Sequence, residues 1–120
     1  MGNDRVRPRL VLASASPARR RSLQAAGIDP EVIVSGVDET LVDVTDPATA
    51  SAVLARRKAE AVAAVLRGRP DAAGAGARVL VLGCDSVLAF DGETCGKPAD
   101  AAEAVARWRQ MRGGSGVLHT

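Results

Sequence analysis

Two spacings of apolar residues alternate along this chain, short continuous runs and three-to-four repeats, and they predict strands and helices in turn. Leu10–Ala13 is an apolar run with the length of a buried strand. Ser16 follows as an N-cap with Pro17 in the first helical position, so a helix is predicted from Pro17 to about Ala26, with Gly27 just past its end. Glu31–Ser35 (EVIVS) reads as a second strand. Asp46 and Pro47 then open a long helix that Gly68 and Pro70 stop. Leu54, Val62, Val65 and Leu66 form its apolar stripe, and Lys58 falls on that same inward face. The Gly/Ala/Pro-rich stretch 68–76 is a loop too short to divide the chain.

Arg78–Phe90 is the most apolar segment, and Asp85-Ser86 interrupts it. Asp91-Gly92 predicts a tight hairpin turn with a short return strand, Glu93–Cys95. Gly96-Lys97-Pro98 ends that strand in a restricted loop. Asp100 and Glu103 begin a last helix in the manner of a capping box. Its apolar side is Val105, Trp108 and Met111, its stop is Gly113-Gly114, and Trp108 is expected in the core. Gly116–Thr120 begins another strand. One domain over residues 1–120 is the expected organisation.

Composition removes several function classes. Phe90 and Trp108 are the only aromatic residues and the net charge is +2, so a stacking platform or basic surface for nucleic acid is not expected. No apolar run approaches the roughly 18 residues of a membrane span, and no apolar core follows the basic N-terminus. Cys84 and Cys95 would not oppose each other across the hairpin, so free thiols in a reducing cytoplasm are expected. The chain carries 14 Arg but only two Lys, Lys58 and Lys97. Such a bias suggests that lysine is kept where a compact ammonium is needed.

The candidate chemistry starts at Ser14-Ala15-Ser16-Pro17. A strand, a hydroxyl-bearing turn, a helix N-terminus and Arg19, Arg20 and Arg21 together suit phosphate oxygens. The competing reading is a simple cap with a solvated arginine face. Asp38 and Glu39 follow a predicted strand and offer oxygen ligands to a hard cation, or only a polar loop. Asp85 is the strongest single candidate, because a carboxylate in an apolar strand is costly unless paired, protonated or metal-bound. Lys58 either snorkels to water or reaches a buried anion. No Walker A loop, dinucleotide fingerprint, zinc set or nucleophile elbow is present. Phosphate donors, carboxylates and two ammonium groups fit attack of an activated water on a nucleotide phosphate chain.

The succession SASP-x-R, SGVDE, LARRKAEAVA, GCDS, GKP and WRQMRGGSGVLHT resembles the Maf family of nucleotide pyrophosphatases, the septum-formation-inhibitor-like proteins. The resemblance implies an α/β fold, a mixed sheet with flanking helices and a cleft, related to the inosine triphosphatase type. It implies hydrolysis of nucleoside triphosphates to monophosphate and pyrophosphate, with Mg²⁺ or Mn²⁺ and often as a homodimer. Carried over by position, Ser14, Ser16 and Arg19 would hold the triphosphate, and Ser86 would contact the nucleotide. Lys58 and Lys97 would neutralise the phosphates, Glu39 would bind the metal, and Asp85 would be the general base and touch the metal too. Ala18 replaces the family's first arginine, and Ser86 stands where many pyrimidine-directed members have threonine. Both bear on base preference and leave the dTTP/UTP and 7-methyl-GTP groups open. Family members continue past the last strand, so the chain is expected to be an N-terminal portion. The alternative to catalysis is a fragment that binds nucleotide or a partner without turnover.

Overall fold

The structure, a computed structural model, describes residues 8–37, 46–69 and 78–120. Asp38, Glu39 and most of the loop that follows Gly68, Pro70 included, lie outside them. In chain order the elements are β1 (Arg9–Ala13), α1 (Pro17–Ala25), β2 (Glu31–Val32), α2 (Pro47–Arg67), β3 (Val79–Gly83), β4 (Val87–Phe90), β5 (Glu93–Cys95), α3 (Ala101–Met111) and β6 (Val117–His119). They fall into two units, Met1–Asp38 with Ala55–Cys84 and Glu39–Leu54 with Asp85–Thr120. The expected α/β class holds, but the strands form two three-stranded sheets rather than a single mixed one.

The first unit contains a parallel sheet of order β2-β1-β3. Central β1 pairs with β3 over its whole length, from Arg9 opposite Val79 to Ala13 opposite Gly83. Parallel strands need a crossover, and α1 supplies it between β1 and β2. Val11, Leu12 and Ala13 are fully buried, as a central parallel strand requires. Val62 of α2 joins Val11 and Ala13 in a core flanked by Ile33, Leu66, Val79 and Val81. The fully buried Val11, Leu12 and Val62 side chains each contribute about 1.5–3 kcal/mol through burial.

Strand β2 is shorter than Glu31–Ser35. The Ile33 amide still reaches the Leu12 carbonyl at 3.1 Å, but β1 ends at Ala13 and leaves Val34 and Ser35 no ladder partner. Helix α1 closes as its sequence predicts, with Gly27 N–H donating to Gln24 O and Ile28 N–H to Leu23 O. On α2 the buried positions are Ala50, Ser51, Leu54, Lys58 and Val62, and all but Ser51 form a row of i+4 steps. Such a row winds about 40° round the helix per step, so by the last turn the inward direction has left Val65, which is 44% exposed.

The second unit holds an antiparallel sheet of order β5-β4-β6. Asp91 and Gly92 both take positive φ, 51° and 73°, the turn whose twist matches a two-residue hairpin. Phe90 opposes Glu93 and Leu88 opposes Cys95 across it. Strand β6 lies on the other side of β4, with Val87 opposite His119. Two expectations fail in this unit or at its edge. The apolar segment 78–90 is not one strand: it breaks at Cys84–Ser86, and β3 and β4 belong to different sheets. Trp108 is 71% and Val105 49% exposed, and α3 buries none of its residues. Helical periodicity states which residues share a face, not whether that face meets protein. Among the described residues no helix is long and apolar enough to cross a membrane.

Candidate functional site

The end of β1 runs into the Ser14–Pro17 turn, the stretch with the two competing readings. Ser14, itself buried, accepts from the Ser16 backbone N–H at 3.2 Å, and this bends the chain away from the strand. Ser16 Oγ then accepts from the Arg19 backbone N–H at 3.4 Å as the N-cap of α1. Both lone pairs of Ser14 are used, because its Oγ also accepts from Arg19 Nη1 at 3.1 Å. The same nitrogen donates to the Cys84 carbonyl at 3.2 Å. Arg19 is thus drawn out of the solvated face, on which Arg20 and Arg21 remain exposed.

Cys84 O belongs to the peptide whose nitrogen is that of Asp85, so the guanidinium touches the backbone immediately before the buried carboxylate. Sequence reasoning missed this carbonyl, since a backbone acceptor leaves no signal in side-chain identity. It also missed Gly83. A Cβ there would lie 1.9 Å from the Ala55 carbonyl oxygen and 3.0 Å from Ala59 Cβ. Only glycine lets the backbone of α2 approach the end of β3 so closely. The turn of α2 pressed against Gly83 is the one that carries Lys58, which is buried to 9% exposure. A buried ammonium requires a compensating partner or anion.

Asp85, at 7% exposure, begins the second chain segment of the second unit. It stands at the break between β3 and β4 rather than inside a strand. Ser86 Oγ lies 2.9 Å from Thr120 Oγ1. Lys97 is exposed on the loop between β5 and α3. A recess on α3 lined by Val105, Trp108, Arg109 and Arg112 contains none of the expected site residues. Cys84 and Cys95 are free thiols.

Among the described residues no three His, Cys, Asp or Glu come together as a cation cage. Mg²⁺ is usually held through one or two carboxylates with water and substrate phosphates. A single buried carboxylate, Asp85, fits that mode, and Glu39 lies outside the described residues.

Residues 9–120 match the sequence model of a family described as Maf-like protein. The chain is similar to a Salinispora tropica protein named nucleoside triphosphate pyrophosphatase, 60% identical over 112 residues, 93% of this chain and 47% of the relative. A Streptomyces avermitilis protein of the same name is 56% identical over 117 residues, 98% of this chain and 53% of its own length. One from Synechococcus elongatus is 57% identical over 113 residues, 94% of this chain and 52% of its own. The chain spans about half the length of these relatives.

Proposed function

The chain belongs to the Maf-like protein family, and from that premise we propose that it serves the hydrolysis of a nucleoside triphosphate to monophosphate and pyrophosphate. The observation that carries the reading is the Arg19 guanidinium. It bridges the hydroxyl turn at Ser14 and the carbonyl before buried Asp85. The names of the relatives support the same reaction.

In this reading Ser14, Ser16, Arg19 and the N-terminus of α1 bind phosphate oxygens. The ammonium groups of Lys58 and Lys97 offset the charge that spreads over the phosphates as the bond breaks. Asp85 accepts a proton from water while the water oxygen bonds to the α-phosphorus; the bond from that phosphorus to the bridging oxygen breaks, and pyrophosphate leaves. Glu39 and Asp85 would hold a divalent cation, Mg²⁺ or Mn²⁺, which supplies further neutralisation of the phosphates when bound. Ser86 contacts the nucleotide. The nucleotide itself is a natural or a non-standard one, with Ala18 and Ser86 bearing on the base. A cytoplasmic homodimer belongs to the same proposal and rests on the family resemblance.

The test is release of pyrophosphate, as distinct from orthophosphate, from a panel of natural and modified nucleoside triphosphates with Mg²⁺ or Mn²⁺. The 120-residue chain is expected to yield pyrophosphate and the matching monophosphate in equal amounts. Tight nucleotide binding with no product would replace this reading by that of a nucleotide-binding chain.

A further inference from the structure

Lys97 sits on a loop whose two ends are tied to one ion pair. Arg107, in the middle of α3, donates from Nη1 to the Gly96 carbonyl and from Nη2 to Glu103 Oε1, the latter at 3.1 Å. The other oxygen of Glu103, Oε2, accepts from the Ala99 backbone N–H at 3.1 Å. A capping-box glutamate ordinarily returns to the N–H of the N-cap itself. Here the N-cap is Asp100, which accepts from Glu103 N–H at 2.8 Å, and Glu103 reaches one residue further, into the loop. Between the anchored ends stand only Lys97 and Pro98, and the proline ring restricts Lys97 toward extended backbone.

We propose that Glu103 and Arg107 are positioning residues that clasp the 96–99 loop and hold Lys97 ready for substrate phosphates. The proposal rests on the phosphate role given to Lys97 above. An exposed i,i+4 ion pair contributes only a few tenths of a kcal/mol to a helix, which leaves the geometry of this pair unexplained by helix stability. The Arg107 side chain is 22% exposed, although α3 buries no residue, and it reaches the loop carbonyl of Gly96. The planar fork of arginine bonds two acceptors at once, the loop carbonyl and the Glu103 carboxylate; an ammonium on a flexible stem does not hold both in one plane. With the loop ordered in advance, the substrate no longer meets the entropy of ordering Lys97.

Two readouts on the whole chain test this. The Ala99 amide is expected to be protected from hydrogen exchange, and to lose protection in both Glu103→Ala and Arg107→Gln. Calorimetry with inorganic triphosphate and Mg²⁺ then compares Arg107→Gln, Lys97→Ala and the double variant. Arg107→Gln is expected to weaken binding about fivefold, the scale of one or two lost hydrogen bonds, and to add nothing once Lys97 is alanine. Arg107→Lys keeps the charge and the helix propensity, guards against a folding defect, and is expected to show the same loss. An equal penalty from Arg107→Gln in the Lys97→Ala background overturns the positioning role, as does recovery of full affinity in Arg107→Lys. Unchanged Ala99 exchange overturns the clasp itself. If exchange responds as expected but Lys97→Ala binds triphosphate normally, the phosphate role of Lys97 is wrong, and the positioning proposal falls with it while the clasp stands.

Discussion

Gly83→Ala is the substitution whose cost follows most directly from the geometry. The added Cβ would sit 1.9 Å from the Ala55 carbonyl oxygen, where real Cβ atoms come no closer than 3.0 Å. The backbone of α2 must therefore move off β3 by roughly 1.1 Å. Backbone cannot yield by changing rotamer, and the same helix carries Val62, which is fully buried against Val11 and Ala13. Overpacking usually costs about 1–3 kcal/mol, and a clash against backbone belongs at the upper end of that range. A loss of about 3 kcal/mol, with a slope of about 2 kcal/mol/M, moves the urea midpoint down by about 1.5 M. Circular dichroism at the helical band reads it. Ala59→Gly in the same chain should rescue little, because the nearest atom is the Ala55 carbonyl and not the Ala59 methyl. A Gly83→Ala midpoint within the equivalent of about 0.5 kcal/mol of the parent, the range of an ordinary surface change, would refute the close packing of α2 on Gly83.

Further outcomes follow from other contacts. Arg19→Leu removes the donor to Ser14 Oγ and the Cys84 carbonyl; it should cost about 1–2 kcal/mol in a thermal melt and weaken triphosphate binding in calorimetry. Asp100→Ala removes the cap on Glu103 N–H and should cost about 1 kcal/mol in urea unfolding, with Asp100→Asn retaining most of it. The Thr49 hydroxyl, bonded to Asp46 Oδ2 at 2.6 Å, and then the Thr49 backbone N–H hold the Asp46 carboxyl below the usual carboxylate range. A depressed folded pKa gives stability that is present above the unfolded value of about 3.9 and is lost as pH falls through the folded one. Thr49→Val should raise the Asp46 titration seen by NMR and narrow that acid window from below.

What was legible in the sequence was whatever local chemistry decides. Ser16 with Pro17, Asp46 with Pro47 and Asp100 with Glu103 open helices at those residues, and Asp91-Gly92 turns the hairpin. Hidden features depend on distant partners. The break at Cys84–Ser86 separates a parallel from an antiparallel sheet, and an apolar run has no mark for a change of partner. Asp85 stood out because a carboxylate among apolar residues is conspicuous anywhere. The Cys84 carbonyl that accepts from Arg19 and the missing side chain of Gly83 that admits α2 have no such signature. Lys58 was legible through its i+4 relation to Leu54 and Val62, whereas the exposure of Trp108 was not. For the clasp, the Glu103–Arg107 spacing was visible as an i,i+4 pair, but its reach to Gly96 and Ala99 needed the fold.

The proposed base is tested most directly by Asp85→Asn, an isosteric change that removes the proton acceptor. Pyrophosphate release from the best nucleotide should fall at least about 100-fold, the lower bound for losing a general base. Inorganic triphosphate without added metal should bind as tightly as before or more so, because one negative charge has gone. Unchanged turnover in Asp85→Asn would contradict the assignment of Asp85 as the group that activates water.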